Sequence, residues 1–148
     1  MYEVFGNFDS YEEINACAEG LLAAGDTEHL KTLAKENGIP EFLVESYLSG
    51  SGEFTDWMNA ALGKLEVEAA DHKDKYVPVQ PVADYLKSLC MEEEFARLVR
   101  RRTKNMEDCM KYIETKTGEL VRKGIMYAPD LQVFHWARDY FREEGAEK

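Results

Sequence analysis

The chain has 148 residues, 45% of them apolar and 32% charged, with a formal net charge of −11. That length suits one domain or two small helical units, and the apolar fraction is enough for a core. No apolar run reaches the ~18 residues of a membrane span. The acidic start, MYEVFGNFDSYEE, lacks a basic region followed by an apolar stretch, so no secretory signal is expected and the expected location is cytoplasmic.

In chain order the signals are helical. Ser10 with Glu13 three residues on forms a capping-box pattern, and Ile14, Cys17, Ala18, Leu21 and Leu22 then recur at helical spacing. Gly25 ends that helix. Asp26 caps the next, TEHLKTLAKEN, which stops at Gly38. Pro40 sits in the first turn of a third, PEFLVESYL, closed by Gly50 and Gly52. Thr55 is the expected cap of a fourth, DWMNAALGKLEVEAADH.

HKDKYVPVQP breaks the pattern with two prolines and reads as an extended link over 72–80. Beyond it, PVADYLKSLC and EEFARLVRRR read as one long helix or two consecutive ones. Asn105 caps NMEDCMKYIETKTGELVRK, GIMYAPD turns, and PDLQVFHWARDYFREE is the last helix. There, Leu131, Phe134, Ala137 and Phe141 are expected to bury, with Trp136 and Tyr140 on a second face. Trp136 is a candidate for core packing or for a partner surface, since Trp and Tyr dominate interface hot spots.

The expected fold is therefore all-α: a compact multi-helix bundle of about seven helices in two packed halves. The expected units are an acidic helical module over 1–71, a link over 72–80 and a second helical module over 81–148. Charge supports the division. Residues 1–80 hold 16 acids and 5 bases, whereas residues 81–148 hold 13 of each. An acidic surface repels phosphate and attracts basic protein patches.

Ala34, Gly38 and Val44 match the spacing of a helix-turn-helix. The helix that would enter DNA carries Glu41 and Glu45 and no Lys or Arg, so the duplex would repel it. Direct specific DNA binding is not expected. Glu41 and Glu45 are instead candidates for contact with a basic partner.

Five of the eighteen basic side chains crowd into Arg97, Arg100, Arg101, Arg102 and Lys104. Three readings are open. Glu93–Arg97 and Glu94–Arg97 pair along one helix, which makes a solvated face. Arg100–Arg102 with Lys104 could hold phosphate. The cluster could also anchor an acidic partner or the chain's own acidic first half, because Arg suits bidentate carboxylate contact.

Residues that carry chemistry are scattered. His29, His72 and His135 form no HxxxH or HExxH pair, and His135–Asp139 reads as a helix-face contact. Cys17, Cys90 and Cys109 form no CxxC and read as buried free thiols of a reducing compartment. No phosphate loop or GxSxG occurs. No catalytic, cofactor or metal residue is singled out, and no enzyme is expected.

VADYLKSLCMEEEFARLVRRRTKNMEDCMKYI followed by APDLQVFHWARDYFREE resembles the PcfK-like proteins of conjugative and other mobile elements, over about residues 80–144. The residues that carry the likeness are Tyr85, Leu86, Glu94, Phe95, Ala96, Lys104, Met106, Cys109, Tyr112, Ile113, Val133, Trp136, Ala137, Tyr140, Glu143 and Glu144. Asn105 stands where that pattern has Ser, and Arg138–Asp139–Tyr140–Phe141 departs from its His-Tyr-Tyr. The first half resembles a leader module of similar proteins.

Some PcfK-like proteins inhibit Cas9. The resemblance thus implies a non-enzymatic anti-CRISPR that binds an effector such as Cas9, with or without guide RNA, and blocks nucleic-acid loading or cleavage. The alternative is an accessory protein of a conjugative or phage element that works through protein or weak DNA contact. The apolar stripes on so many helices also make a homodimer plausible.

Overall fold

The computed structural model describes residues 1–126 and 128–143. Glu144, part of the resemblance, and Tyr127, in the expected turn, lie outside the described residues, as does the end of the expected 81–148 module. The described residues form eight α-helices and no strand: α1 Tyr11–Ala23, α2 Thr27–Glu36, α3 Glu41–Leu48, α4 Trp57–Asp71, α5 Val79–Leu89, α6 Glu93–Arg100, α7 Met106–Arg122 and α8 Asp130–Arg142.

Helix starts follow side-chain caps. Ser10 Oγ accepts from the Glu13 N–H at 3.3 Å, Asp26 Oδ1 from His29 at 3.2 Å and Asn105 Oδ1 from Asp108 at 2.8 Å. Each cap satisfies an amide that has no partner within its helix. The cap of α4 is Asp56, not Thr55: its Oδ1 accepts from the Asn59 N–H at 2.8 Å. Thr55 is buried, and its backbone N–H and carbonyl both bond the Asn15 side chain of α1 at 3.0 Å. Pro40 precedes α3 in extended backbone rather than standing inside its first turn.

Of the two readings for the segment after the link, one long helix or two consecutive ones, the second holds, with the break at Cys90–Glu92. Val79, Val82, Ala83 and Leu86 bury one face of α5. Continued without interruption, that face would next present Glu93 and Arg97 to the core. A turn at 90–92 resets the phase, so that Phe95, Ala96 and Val99 are buried instead. The link is shorter than expected, because α5 begins at Val79 and takes Pro81 into its first turn, where a missing N–H leaves no acceptor unserved.

Two apolar clusters form the core. One holds Ile14, Ala18, Leu30, Leu33, Ala34, Ile39, Val44, Phe54 and Ala60. The other gathers α4 from Ala61 onward with α5, α6, α7 and α8. The buried members of the two clusters adjoin within α4, at Ala60 and Ala61. α4 packs chiefly on α6 and α5, so the last helix of the first half forms part of the core of the second.

The α2–α3 turn closes with paired bonds, Ile39 N–H to Ala34 O at 2.8 Å and Gly38 N–H to Lys35 O at 3.3 Å, with Gly38 at φ +63°. This is a Schellman motif, and glycine takes that backbone without strain. The turn rests directly on the α4 backbone at Gly63.

On α8 the buried stripe is Val133, Ala137, Tyr140 and Phe141. The expected burial of Leu131 does not occur, since it is 62% exposed. It lies about 200° round the helix from Val133, facing away from α5, α6 and α7. Phe134 is half-buried and stacks on Tyr85, with ring centroids 4.8 Å apart.

Candidate functional site

The basic cluster at the end of α6 is drawn into contacts with the first half of the chain and with α8. Arg97 is partly exposed. Its Nη1 and Nη2 grip Glu12 of α1 at 3.1 and 3.0 Å, its Nε donates to Glu93 at 2.8 Å, and its guanidinium lies 5.1 Å from the Tyr11 ring centroid. The hydrogen bonds to Glu12 and then Glu93 hold the guanidinium more firmly protonated than usual, and Arg97 holds the Glu12 carboxyl below the usual carboxylate range. Arg97 thus ties the second half to the acidic first half by a bidentate pair.

Arg100 is only 2% exposed. Its Nη2 donates to Asn37 Oδ1 at 2.8 Å and its Nη1 to Asn7 Oδ1 at 3.2 Å, but its Nε–H has no hydrogen-bond acceptor. A buried donor left in that state costs about 1–3 kcal/mol. Burial lowers the pKa of Arg100, while the nearby Tyr2 and Glu68 pull it back up.

Arg101 and Arg102 are exposed, and their backbones are held. The Arg101 carbonyl accepts from Lys64 Nζ, and the Arg102 N–H donates to Asp9 Oδ1 at 3.1 Å. Lys104 is buried, with its Nζ donating to the Tyr140 and Glu143 carbonyls at 2.8 Å and lying 4.5 Å from the Tyr140 ring centroid. Arg100 and Lys104, both expected at a partner surface, are buried side chains. Both point into the fold, and the cluster offers a partner Arg101, Arg102 and part of Arg97.

Two residues central to this junction, Lys64 and Glu68, were not singled out from the sequence. Both lie on the buried side of α4 beside Ala61, Leu65 and Ala69. A Lys and a Glu four residues apart on an apolar stripe were a legible signal. Lys64 Nζ also donates to the Lys104 carbonyl at 2.6 Å. Burial pushes its pKa down to about 7, with Arg100 adding to the effect and Glu68 and Asp9 opposing it. Glu68 accepts from Tyr2 Oη at 2.7 Å and from the Met106 N–H at 2.9 Å. Burial first, and Glu68 second, push the Tyr2 hydroxyl pKa upward.

With these cations turned inward, the first half keeps its acidity. Residues 1–56 hold twelve Asp and Glu against two Lys, and α1 and α3 contain no Lys or Arg at all. Glu41 and Glu45 are exposed on α3. They line a groove of about 490 Å³ between α2 and α3 that Lys31 and Lys35 also line, with Ala34, Ile39, Val44 and Leu48 as its apolar part. Trp136 is half-buried and packs against the second core cluster.

Cys90 and Cys109 are buried and Cys17 is partly buried. Burial raises the pKa of all three thiols, that of Cys90 to about 12. Among the described residues no three His, Cys, Asp or Glu side chains lie close enough to hold a metal ion, and no helix is long and apolar enough to cross a membrane. Compared with protein-family models, curated proteins and solved structures, the chain gives no match.

Proposed function

We propose that the chain is a non-enzymatic binding protein that docks its acidic N-terminal helices on a cationic surface of a protein partner. The observation that carries this reading is the one-sided use of charge. Arg97, Arg100, Lys64 and Lys104 serve internal contacts, whereas Glu13 and Glu19 of α1 and Glu41 and Glu45 of α3 stand exposed, outside the pairing of Glu12 with Arg97. A surface of this kind draws basic partners and accelerates encounter with them.

The partner class follows from the PcfK-like resemblance: an RNA-guided nuclease of the Cas9 type, whose nucleic-acid channel is positively charged. The chain would occupy that channel and block loading or cleavage. A role as an accessory of a mobile element, acting on DNA, is the second reading. It is favoured only by the exposure of Arg101 and Arg102.

The test is capture of the purified chain by purified Cas9, with and without guide RNA, at low and high salt, together with a cleavage assay. Binding that weakens as salt rises and cleavage that falls with added chain support the reading. Unchanged cleavage in excess chain overturns it. A gel shift on DNA, lost in Arg101→Glu with Arg102→Glu, would favour the second reading.

A further inference from the structure

The groove of about 490 Å³ between α2 and α3 carries opposite charges on its two walls. Lys31 and Lys35 stand one turn apart on the α2 wall, and Glu41 and Glu45 one turn apart on the α3 wall. Ile39, Val44 and Leu48 supply apolar lining. We propose that this groove receives an amphipathic helix of a partner protein, apolar side inward, with an acidic edge along α2 and a basic edge along α3.

Charge complementarity carries the assignment. All four charged side chains are exposed, and among the described residues none of them makes a hydrogen bond or ion pair. Two rows of opposite charge thus border one groove without serving each other, unlike Arg97 and Arg100 of α6, which the fold uses internally. A helix with one edge of each sign would give both rows a partner at once. Its length fits as well. From Thr27 to Lys35 the α2 wall runs about 12 Å, two helical turns, which is the span of i, i+3 or i+4, and i+7 anchors.

Phe42 is 64% exposed and neighbours Glu45 on the surface of α3. A basic side chain paired with Glu45 would therefore also meet an aromatic ring. A second copy of the chain is the poorer occupant, because a two-fold axis through this face sets hollow against hollow. The inference deepens the proposed function and rests on its view that the chain acts by binding a protein. It adds the element of the partner that is recognised.

Three synthetic helical peptides of about 18 residues test this. All share one apolar stripe; one has a Glu edge and a Lys edge, one has Lys on both edges and one has Glu on both. Fluorescence anisotropy is read with the full chain at about 0.15 M salt, where exposed charges act over short range. The mixed peptide should half-saturate at about 100 µM or below and bind about fivefold tighter than either of the others. The net charge of −11 would by itself favour the all-Lys peptide, so this ranking separates the groove from the general field. Lys31→Glu with Lys35→Glu should transfer the preference to the all-Lys peptide, and Glu41→Lys with Glu45→Lys to the all-Glu peptide. Melting temperatures should stay near the wild-type value, because all four side chains are exposed.

No saturation by the mixed peptide up to about 1 mM, an all-Lys peptide that binds the wild-type chain as tightly, or charge reversals that leave the ranking unchanged overturn the proposal. So does a dimer of the chain alone that the reversals dissolve, since it would assign the groove to a second copy. Peptides that bind a chain Cas9 does not capture would uphold the groove and remove the proposed function. Capture by Cas9 without peptide binding would strike the groove alone.

Discussion

Gly38 and Gly63 meet backbone to backbone. A Cβ on Gly38 would stand 2.6 Å from the Gly63 carbonyl oxygen and 2.7 Å from its Cα, and a Cβ on Gly63 would collide with the Asn37 carbonyl. This contact seats the α2–α3 turn on α4, next to Asn37, whose side chain receives Arg100. Gly63→Ala should therefore destabilise the chain by about 3 kcal/mol or more, since neither backbone can yield cheaply. Gly20→Ala is the control. It sits in α1 with nothing within 4 Å of its Cβ position and should stabilise by about 0.5–1 kcal/mol. Denaturant unfolding measures both, and a Gly63→Ala chain as stable as wild type would refute the close approach.

The buried Lys64 makes stability depend on pH. Its folded pKa, near 7, lies below the ordinary 10.5, so between those values the unfolded chain binds the extra proton. Stability then rises with pH across that window, by at most about 1.4 kcal/mol per pH unit, and the gain is lost as pH falls back towards 7. Above about pH 9 the Cys90 and Cys109 thiols and the Tyr2 hydroxyl act in the opposite sense, because their folded pKa values are raised. The clean interval is therefore pH 7–9. Lys64→Met should flatten the slope there, whatever its effect on absolute stability. An identical slope in wild type and variant would show that Lys64 does not titrate between the two states.

Thiol reactivity should grade with burial. Cys90 and Cys109 are fully enclosed and their thiols stay protonated at neutral pH. In the native chain they should resist a thiol reagent such as Ellman's, while the partly buried Cys17 reacts slowly. All three should react at once in guanidinium chloride. Rapid native labelling of two or more thiols would contradict the packing of α5 and α7.

The acidic helices can be tested apart from the junction. Glu41→Gln with Glu45→Gln removes two exposed carboxylates from α3 without touching the core. The association rate with a basic partner, Cas9 first, should fall about threefold at low salt and converge with wild type at high salt. Equal rates at low salt would move the docking surface off α3.

Much of this architecture could be read locally. Ser10, Asp26 and Asn105 announced three helix starts because a cap involves only residues within one turn. The apolar spacing of α1 was likewise visible at Ile14 and Ala18, although Leu22, read into the same stripe, is exposed. Thr55 was misjudged because the next residue, Asp56, caps α4, while the Thr55 backbone is held by an Asn15 side chain forty positions away. Leu131 was misjudged because the buried stripe of α8 is set by the helices beside it and not by its own apolar count.

The basic cluster shows the same division at the level of function. Sequence could count the charges and place Arg97 beside Glu93, since that pairing spans one helical turn. Whether Arg100 and Lys104 faced water or the interior was decided by Asn7, Asn37, Tyr140 and Glu143, brought from distant parts of the chain. Helix formation draws on neighbours a few residues apart, so linear order is enough to reveal it. The burial of a long cationic side chain depends on acceptors that only the packed fold assembles around it.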